Sequence, residues 1–189
     1  MKNTKLQPIP FCAIIDTREQ TPLPFPDGFP TRRGTLYPGD YSADGLTLRV
    51  AFERKSVSDL IGTLFGKSAN ADGSTTPRLQ KFVEELTAMQ TIQFRAVVID
   101  QPLRMILEHL YQSMVPPSNV IRLIADIECH TGVPFKFFDS PKQAAMFVAA
   151  ELLQAYEIEH GLSSIKYTVR KLRPERLKVR IPDTPKRAK

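Results

Sequence analysis

The chain reads as an α/β protein, a mixed β-sheet flanked by α-helices. Three observations predict this. Two short segments, the apolar run 11–15 and the largely apolar 94–99 (with Arg95), each end in an acid (Asp16, Asp100) and have the length and residue types of buried strands. Elsewhere apolar residues recur three and four apart, most clearly Leu79, Phe82, Val83, Leu86 and Met89 on one face of a helix. Strand and helix signals then alternate along the chain, which calls for helices packed over a sheet. With 189 residues of which 42% are hydrophobic, the chain has room for one domain plus extensions. A domain of about 150 residues buries enough surface to fold without a disulfide or metal staple.

The elements follow in order. Residues 1–10 are polar, with Pro8 and Pro10, and read as a leader. The run 11–15 is a strand whose end presents Asp16. Four prolines between positions 22 and 30, with Gly28, mark a loop. Residues 32–37 suggest a strand entering a turn at Gly39, and Gly45 suits a hairpin turn before a central strand over 46–55. On that strand Leu46, Leu48, Val50 and Phe52 share one side, assigned to the core. Arg49, Ala51, Glu53 and Lys55 share the other. Ser56 is an N-cap, with Asp59 three residues on, for a helix over 57–65 that stops at Gly66. Residues 67–77 carry few large apolar groups and read as a loop. A helix over 78–89, a strand over 94–99, helices over 102–114 and 117–130, a strand over 134–138 and a helix from Ser140-Pro141 to about 160 complete the body. The last segment alternates at period two over 165–170 and again over 177–181. It forms either a basic hairpin or a segment that orders on a partner.

Charge is unevenly placed. Residues 166–189 hold ten Lys/Arg and two acids (Glu175, Asp183), a net of +8, so the total of +6 leaves −2 for residues 1–165. A basic tail on a near-neutral body points to a polyanionic partner. Cys12 and Cys129 are too few for a disulfide framework or a zinc site and are expected in the core. No apolar signal segment follows Met1–Lys5, and the longest nearly apolar run, 144–153, falls short of the roughly 20 residues that span a bilayer. An intracellular protein without a membrane anchor is expected. The three histidines are isolated and no glycine-rich phosphate loop is present, so neither a histidine-based metal site nor ATP use is expected.

The chemistry concentrates on Gly39-Asp40-Tyr41 and Phe52-Glu53-Arg54-Lys55. Glu53 and Lys55 project from one face of a strand end, and Asp40 sits in the preceding turn. Two carboxylates suit a hard divalent cation, and a neighbouring ammonium steadies an anion or a water nucleophile. Arg54 points to the opposite side. It pairs there with an acid near the core, Asp59 being one candidate, or a bulge turns it towards substrate.

The acid–spacer–Glu-x-Lys pattern resembles the core of restriction-endonuclease-like nucleases. Gly39-Asp40-Tyr41, then Glu53-Arg54-Lys55-Ser56 with Asp59-Leu60, and Asp16-Thr17-Arg18-Glu19 upstream together resemble the XPF-type structure-specific endonucleases, over residues 11 to about 155. The resemblance implies a nuclease domain over 11–162, between the leader and a basic extension over 163–189. It implies hydrolysis of DNA phosphodiesters with Mg²⁺ or Mn²⁺, on branched, flap or splayed-arm DNA. It brings Asp16 beside Asp40 and Glu53 as a further metal ligand and catalytic residue, with Lys55. It gives Arg18, Arg54 and Arg78 to the substrate, and Glu19 and Asp59 to supporting the ligands. A homodimer or a heterologous partner subunit also follows from it. Some relatives are catalytically inactive DNA-binding or scaffold partners that have lost these acids and the lysine; Asp16, Asp40, Glu53 and Lys55 are all retained here.

Overall fold

A computed structural model describes residues 9–69 and 75–162. The basic extension, with its expected hairpin, and nearly all of the leader lie outside the described residues. Six strands form one mixed sheet: β1 (Ala13–Asp16), β2 (Thr31–Gly34), β3 (Tyr41–Ala43), β4 (Val50–Lys55), β7 (Phe94–Ile99) and β8 (Phe135–Phe137), ordered β2-β1-β3-β4-β7-β8. Strand β1 runs parallel to β2 and antiparallel to β3. Strand β3 is antiparallel to β4, whereas β4, β7 and β8 are parallel, with Lys55 opposite Ile99 and Ile99 opposite Phe137. The helices are α1 (Val57–Phe65), α2 (Arg78–Ala88), α3 (Arg104–Leu107), α4 (Pro117–Thr131) and α5 (Pro141–Glu159). The expected fold class is the one observed.

Two apolar layers hold the sheet between helices. Val50 and Phe52 of β4, with Ala96 and Val98 of β7, pack on Ala144, Val148 and Leu152 of α5. The intervening Ala51, Val97 and Ile99 pack on α1, α2 and α4 through Leu60, Phe82, Leu86 and Ile124. Strand periodicity of two therefore feeds both cores, each buried Val, Leu, Ile or Phe contributing about 1.5–3 kcal/mol. Ser56 caps α1 by accepting from the Asp59 N–H (3.0 Å), as its spacing predicts.

The structure differs from the sequence reading in five places. Strand β4 begins at Val50, because 46–49 form a turn closed by Arg49 N–H donating to Leu46 C=O (2.8 Å). Leu46 still reaches the core, but Leu48 is 84% exposed. The three-residue β3 is too short to show in the sequence. The ends of the expected 67–77 loop pair as β5 (Lys67–Ala69) and β6 (Thr75–Pro77), an antiparallel ribbon. The expected helix over 102–114 shrinks to the single turn α3. His109 takes a left-handed φ of 55°, while the His109 and Leu110 N–H groups donate to the Ile106 and Met105 carbonyls. That is the bonding of a Schellman stop, and beyond it Leu110 and Met114 face solvent with no helix to pack on. Neither cysteine is fully buried: Cys12 is half-buried and Cys129 lies on the outer face of α4.

Candidate active site

The site forms where β1 and β4 end and β3 begins, beside α2. A cis Tyr37–Pro38 bond leads into Gly39, whose φ is +85°. A Cβ there would stand 3.0 Å from the Phe52 carbonyl oxygen, so only glycine lets this turn lie flat on β4. Asp40 is then pinned by its backbone. Its N–H donates to Phe52 C=O (2.8 Å), and its own C=O accepts from the Asp16 N–H (2.8 Å). Its Oδ2 accepts from the Arg54 N–H (2.9 Å).

Glu53 is 5% exposed, and Lys55 Nζ donates to its Oε1 (2.9 Å) while lying 4.8 Å from the centre of the Phe82 ring. The shared face expected for Glu53 and Lys55 is thus observed. Burial raises the Asp40 carboxyl, and the charges of Glu19 and Glu85 add to this against the Arg54 N–H and Lys55; the group is pushed up to about 6. Glu53 is pushed up to about 8, first by burial and next by the charge of Asp40, with Lys55 opposing. The two carboxyls therefore share a site in which the protein supplies too little positive charge to keep both ionised at neutral pH.

Asp16 does not join them with its side chain. It is fully buried, its Oδ1 accepts from the Arg18 N–H (2.8 Å) and Nε (2.7 Å), and its Oδ2 accepts from the Leu36 N–H (2.6 Å). Burial pushes its carboxyl up, but these hydrogen bonds outweigh burial and hold it below the ordinary carboxylate range. Asp16 reaches Asp40 through its main chain, while its carboxylate braces the turn after β1. In this structure the Asp16 carboxylate is turned to Arg18 and Leu36, and not to Asp40 and Glu53. Among the described residues no group of three or more His, Cys, Asp or Glu is gathered in metal-holding geometry. The oxygens suited to a hard divalent cation are those of Asp40 and Glu53, and the chemistry of that donor set fits Mg²⁺ or Mn²⁺.

The arginines divide. Arg18 has a 64% exposed side chain anchored on Asp16 and on Leu36 C=O (2.9 Å). Arg54 points away from Glu53, as alternation requires. Its Nε donates to Asp100 Oδ2 (2.9 Å) with a second, shorter bond from Nη2, and its Nη1 lies 3.9 Å from Glu19 Oε1. Of the two alternatives open for Arg54, the ion pair is realised, with Asp100 in place of Asp59. Asp59 is exposed and bonds Ser56 Oγ (2.7 Å), so it finishes the cap of α1 and does not support the acids. Arg78 lies against Gly62 and Gly66 at the end of α1, where its guanidinium would meet a Cβ at Gly62 at 3.3 Å. Its main-chain N–H donates to the Gly66 C=O (3.1 Å), which ties the start of α2 to the end of α1. Glu19 borders the acid pair, since its charge raises Asp40 while its Oε1 accepts from the Thr21 N–H (2.7 Å).

Three residues escaped the sequence reading. Glu85 of α2 accepts from the Gly39 N–H (3.3 Å) and adds its charge to Asp40 and Glu53. Nothing in its local sequence distinguishes it from any other acid on a helix's polar face. Arg33 donates to Asp16 C=O (2.9 Å) and Glu19 C=O (2.7 Å), locking the first turn. Asp100 was visible as the acid ending β7, but its pairing with Arg54 needs the parallel β4–β7 register.

The family model for the ERCC4 domain matches residues 15–150. The fold is similar to that of XPF from Aeropyrum pernix, with a TM-score of 0.54 and 16% identity, over 75% of this chain and 59% of that one. It is also similar to XPF from Aeropyrum pernix in complex with DNA, with a TM-score of 0.52 and 19% identity, over 82% of this chain and 68% of that one. The chain thus spans about three fifths of the first of these proteins. At such identities the likeness is one of fold. No curated protein matches the chain. Among the described residues no helix is long and apolar enough to cross a membrane.

Proposed function

The chain belongs to the ERCC4 domain family, and we propose from that premise that it is a divalent-metal-dependent endonuclease acting on DNA at branches, flaps or splayed arms, inside the cell. The observation that carries this is the pair of half-buried Asp40 and buried Glu53, both carboxyls raised, with Lys55 bonded to Glu53. A fold that keeps two repelling acids together at a strand end has put them there for a ligand that neutralises them. Mg²⁺ or Mn²⁺ held by Asp40 and Glu53 would contribute Lewis acidity at the phosphate and a more acidic bound water.

The chain's own groups do the rest. The Arg54 N–H and the glycine turn fix Asp40, and Asp16 and Arg33 fix the turn behind it. Lys55 supplies positive charge where charge develops at phosphorus. The exposed Arg18 guanidinium holds a neighbouring phosphate, giving affinity without reading sequence. In this reading residues 11–162 are the nuclease domain and the basic extension over 163–189 adds salt-sensitive hold on the backbone. Asp16 then acts as a positioning residue. A second subunit, identical or not, is compatible with this arrangement and is not required by it.

Cleavage of labelled duplex, flap, splayed-arm and four-way DNA in Mg²⁺, Mn²⁺ or EDTA tests the proposal. Cutting that needs the metal and is lost in Asp40→Asn and Glu53→Gln is the expected result. Binding of DNA without cutting under any of these metals would favour a scaffold role, and full activity of Asp40→Asn would overturn the site.

A further inference from the structure

Glu85 reaches the acid pair from a third element, the helix α2. It follows Phe82 by three residues, so the two share a face of that helix. Phe82 lies beneath Lys55, whose Nζ is 4.8 Å from the ring centre, and Glu85 Oε1 accepts from the Gly39 N–H (3.3 Å), next to Asp40. Phe82 and Leu86 are buried and fix the helix, so the Glu85 carboxylate is carried by a rigid element.

The protein leaves this half-buried carboxylate without a countercharge. Among the described residues the long Gly39 bond is its only hydrogen bond, and no ion pair engages it. Lys55 is bonded to Glu53, and the Arg18 guanidinium, which feels the charge of Glu85, is held by Asp16. Glu19, the other acid near Asp40, has Arg54 at 3.9 Å. Glu84, the next residue of α2, is exposed and accepts from Gln80 (3.1 Å). Glu85 alone stands unpaired where its charge works against both Asp40 and Glu53, a placement that is unfavourable until a cation arrives. Among the described residues no three acids are gathered as direct ligands, so Glu85 does not complete an inner set. Mg²⁺ held by one or two carboxylates keeps several of its waters, and an acid one water further out accepts from them.

We propose that Glu85 binds the divalent cation of the Asp40–Glu53 site through the ion's own waters, accepting their hydrogen bonds and fixing where they stand; this rests on the metal-dependent reading above. Mn²⁺ binding to the full chain without DNA tests it, read from the paramagnetic resonance signal of the free ion. Glu85→Gln removes the charge and keeps the shape. Glu84→Gln makes the same change on the exposed side of the same helix. The expected result is about tenfold weaker binding in Glu85→Gln, and a change within about twofold in Glu84→Gln, where solvent and salt screen the charge. The number of waters on the bound ion, from water-proton relaxation, should be the same in Glu85→Gln as in the unmodified protein. The urea midpoint of Glu85→Gln in EDTA at pH 8 should equal or exceed that of the unmodified protein, since a repelling charge is gone. Unchanged Mn²⁺ affinity in Glu85→Gln, an equal loss in Glu84→Gln, an additional water on the ion, or a lower urea midpoint overturns the proposal. In each of these cases the unmodified protein still binds Mn²⁺ and the nuclease reading stands. An unmodified protein that binds no Mn²⁺ would remove that reading and this proposal together.

Discussion

Without metal, the stability of this protein should fall as pH rises from about 4 to about 8, the reverse of the usual behaviour of buried carboxylates held by ion pairs. Asp40 has its folded carboxyl pushed from an ordinary 3.8 to about 6, and Glu53 from 4.5 to about 8. In that window the folded state keeps protons that the unfolded state has released, so the stabilisation is whole below about 4 and is lost as pH rises through the folded values. At 1.36 kcal/mol per unit, Asp40 alone accounts for about 3 kcal/mol. Glu53 acts in the same direction, and part of its rise comes from the charge of Asp40, so the two do not simply add and a fall of at least about 3 kcal/mol is the expectation. Urea midpoints in EDTA at pH 4 and pH 8 measure it. Glu53→Gln should remove the Glu53 share of the slope and leave that of Asp40, and Mg²⁺ at 100 times its dissociation constant should restore about 2.7 kcal/mol, chiefly at pH 8. Stability that is flat or rises across this range in EDTA would show that the two acids are not buried together, and the reasoning would fail with them.

Other outcomes are equally specific. Lys55→Met should lower kcat on any cleaved DNA by about 10²–10³-fold while leaving DNA affinity nearly unchanged, read by single-turnover kinetics beside filter binding. Asp100→Ala strands the mostly buried Arg54 guanidinium and should cost about 3–5 kcal/mol in urea unfolding, with Asp100→Asn milder. Gly39→Ala forces a side chain into φ +85° against the Phe52 carbonyl, costing about 1–2 kcal/mol by thermal melting and displacing Asp40, so metal affinity falls with it. Deleting residues 163–189 should weaken DNA binding and flatten its dependence on salt; an unchanged slope of affinity against salt would remove the extension from the DNA interface.

Features that depend on neighbours in the chain were legible in the sequence, and those that depend on register were not. The helix over 57–65 was readable because Ser56 and Asp59 cap it locally and Gly66 ends it. The strand over 94–99 was readable because the apolar run over 96–99 is too short for a helix and is buried on both faces. The helix over 102–114 misled because its 3/4 spacing is genuine, yet an apolar stripe makes a helix only when something covers it. Here Leu110 and Met114 remain bare. Within the site, Glu53 and Lys55 follow from a period of two, but the Asp16 carboxylate turns to Leu36, twenty residues on, and no spacing rule anticipates that bond.

The split of Glu53-Arg54-Lys55 between two faces explains why three consecutive charged residues persist at a buried strand end. Glu53 and Lys55 share the acid-bearing face. Arg54 faces the other way, where Glu19 and Asp100 compensate its charge on either side. If its only service were to touch substrate, this double anchoring would work against it, since a guanidinium held by a buried carboxylate has little freedom to follow a phosphate. What Arg54 gives the site directly is its main-chain N–H on Asp40, and the side-chain anchor keeps that N–H where it is. Arg54→Lys, which keeps the charge but not the forked bond to Asp100, should therefore lower metal affinity more than DNA affinity. A loss confined to DNA affinity would return Arg54 to the substrate-binding role expected from the sequence.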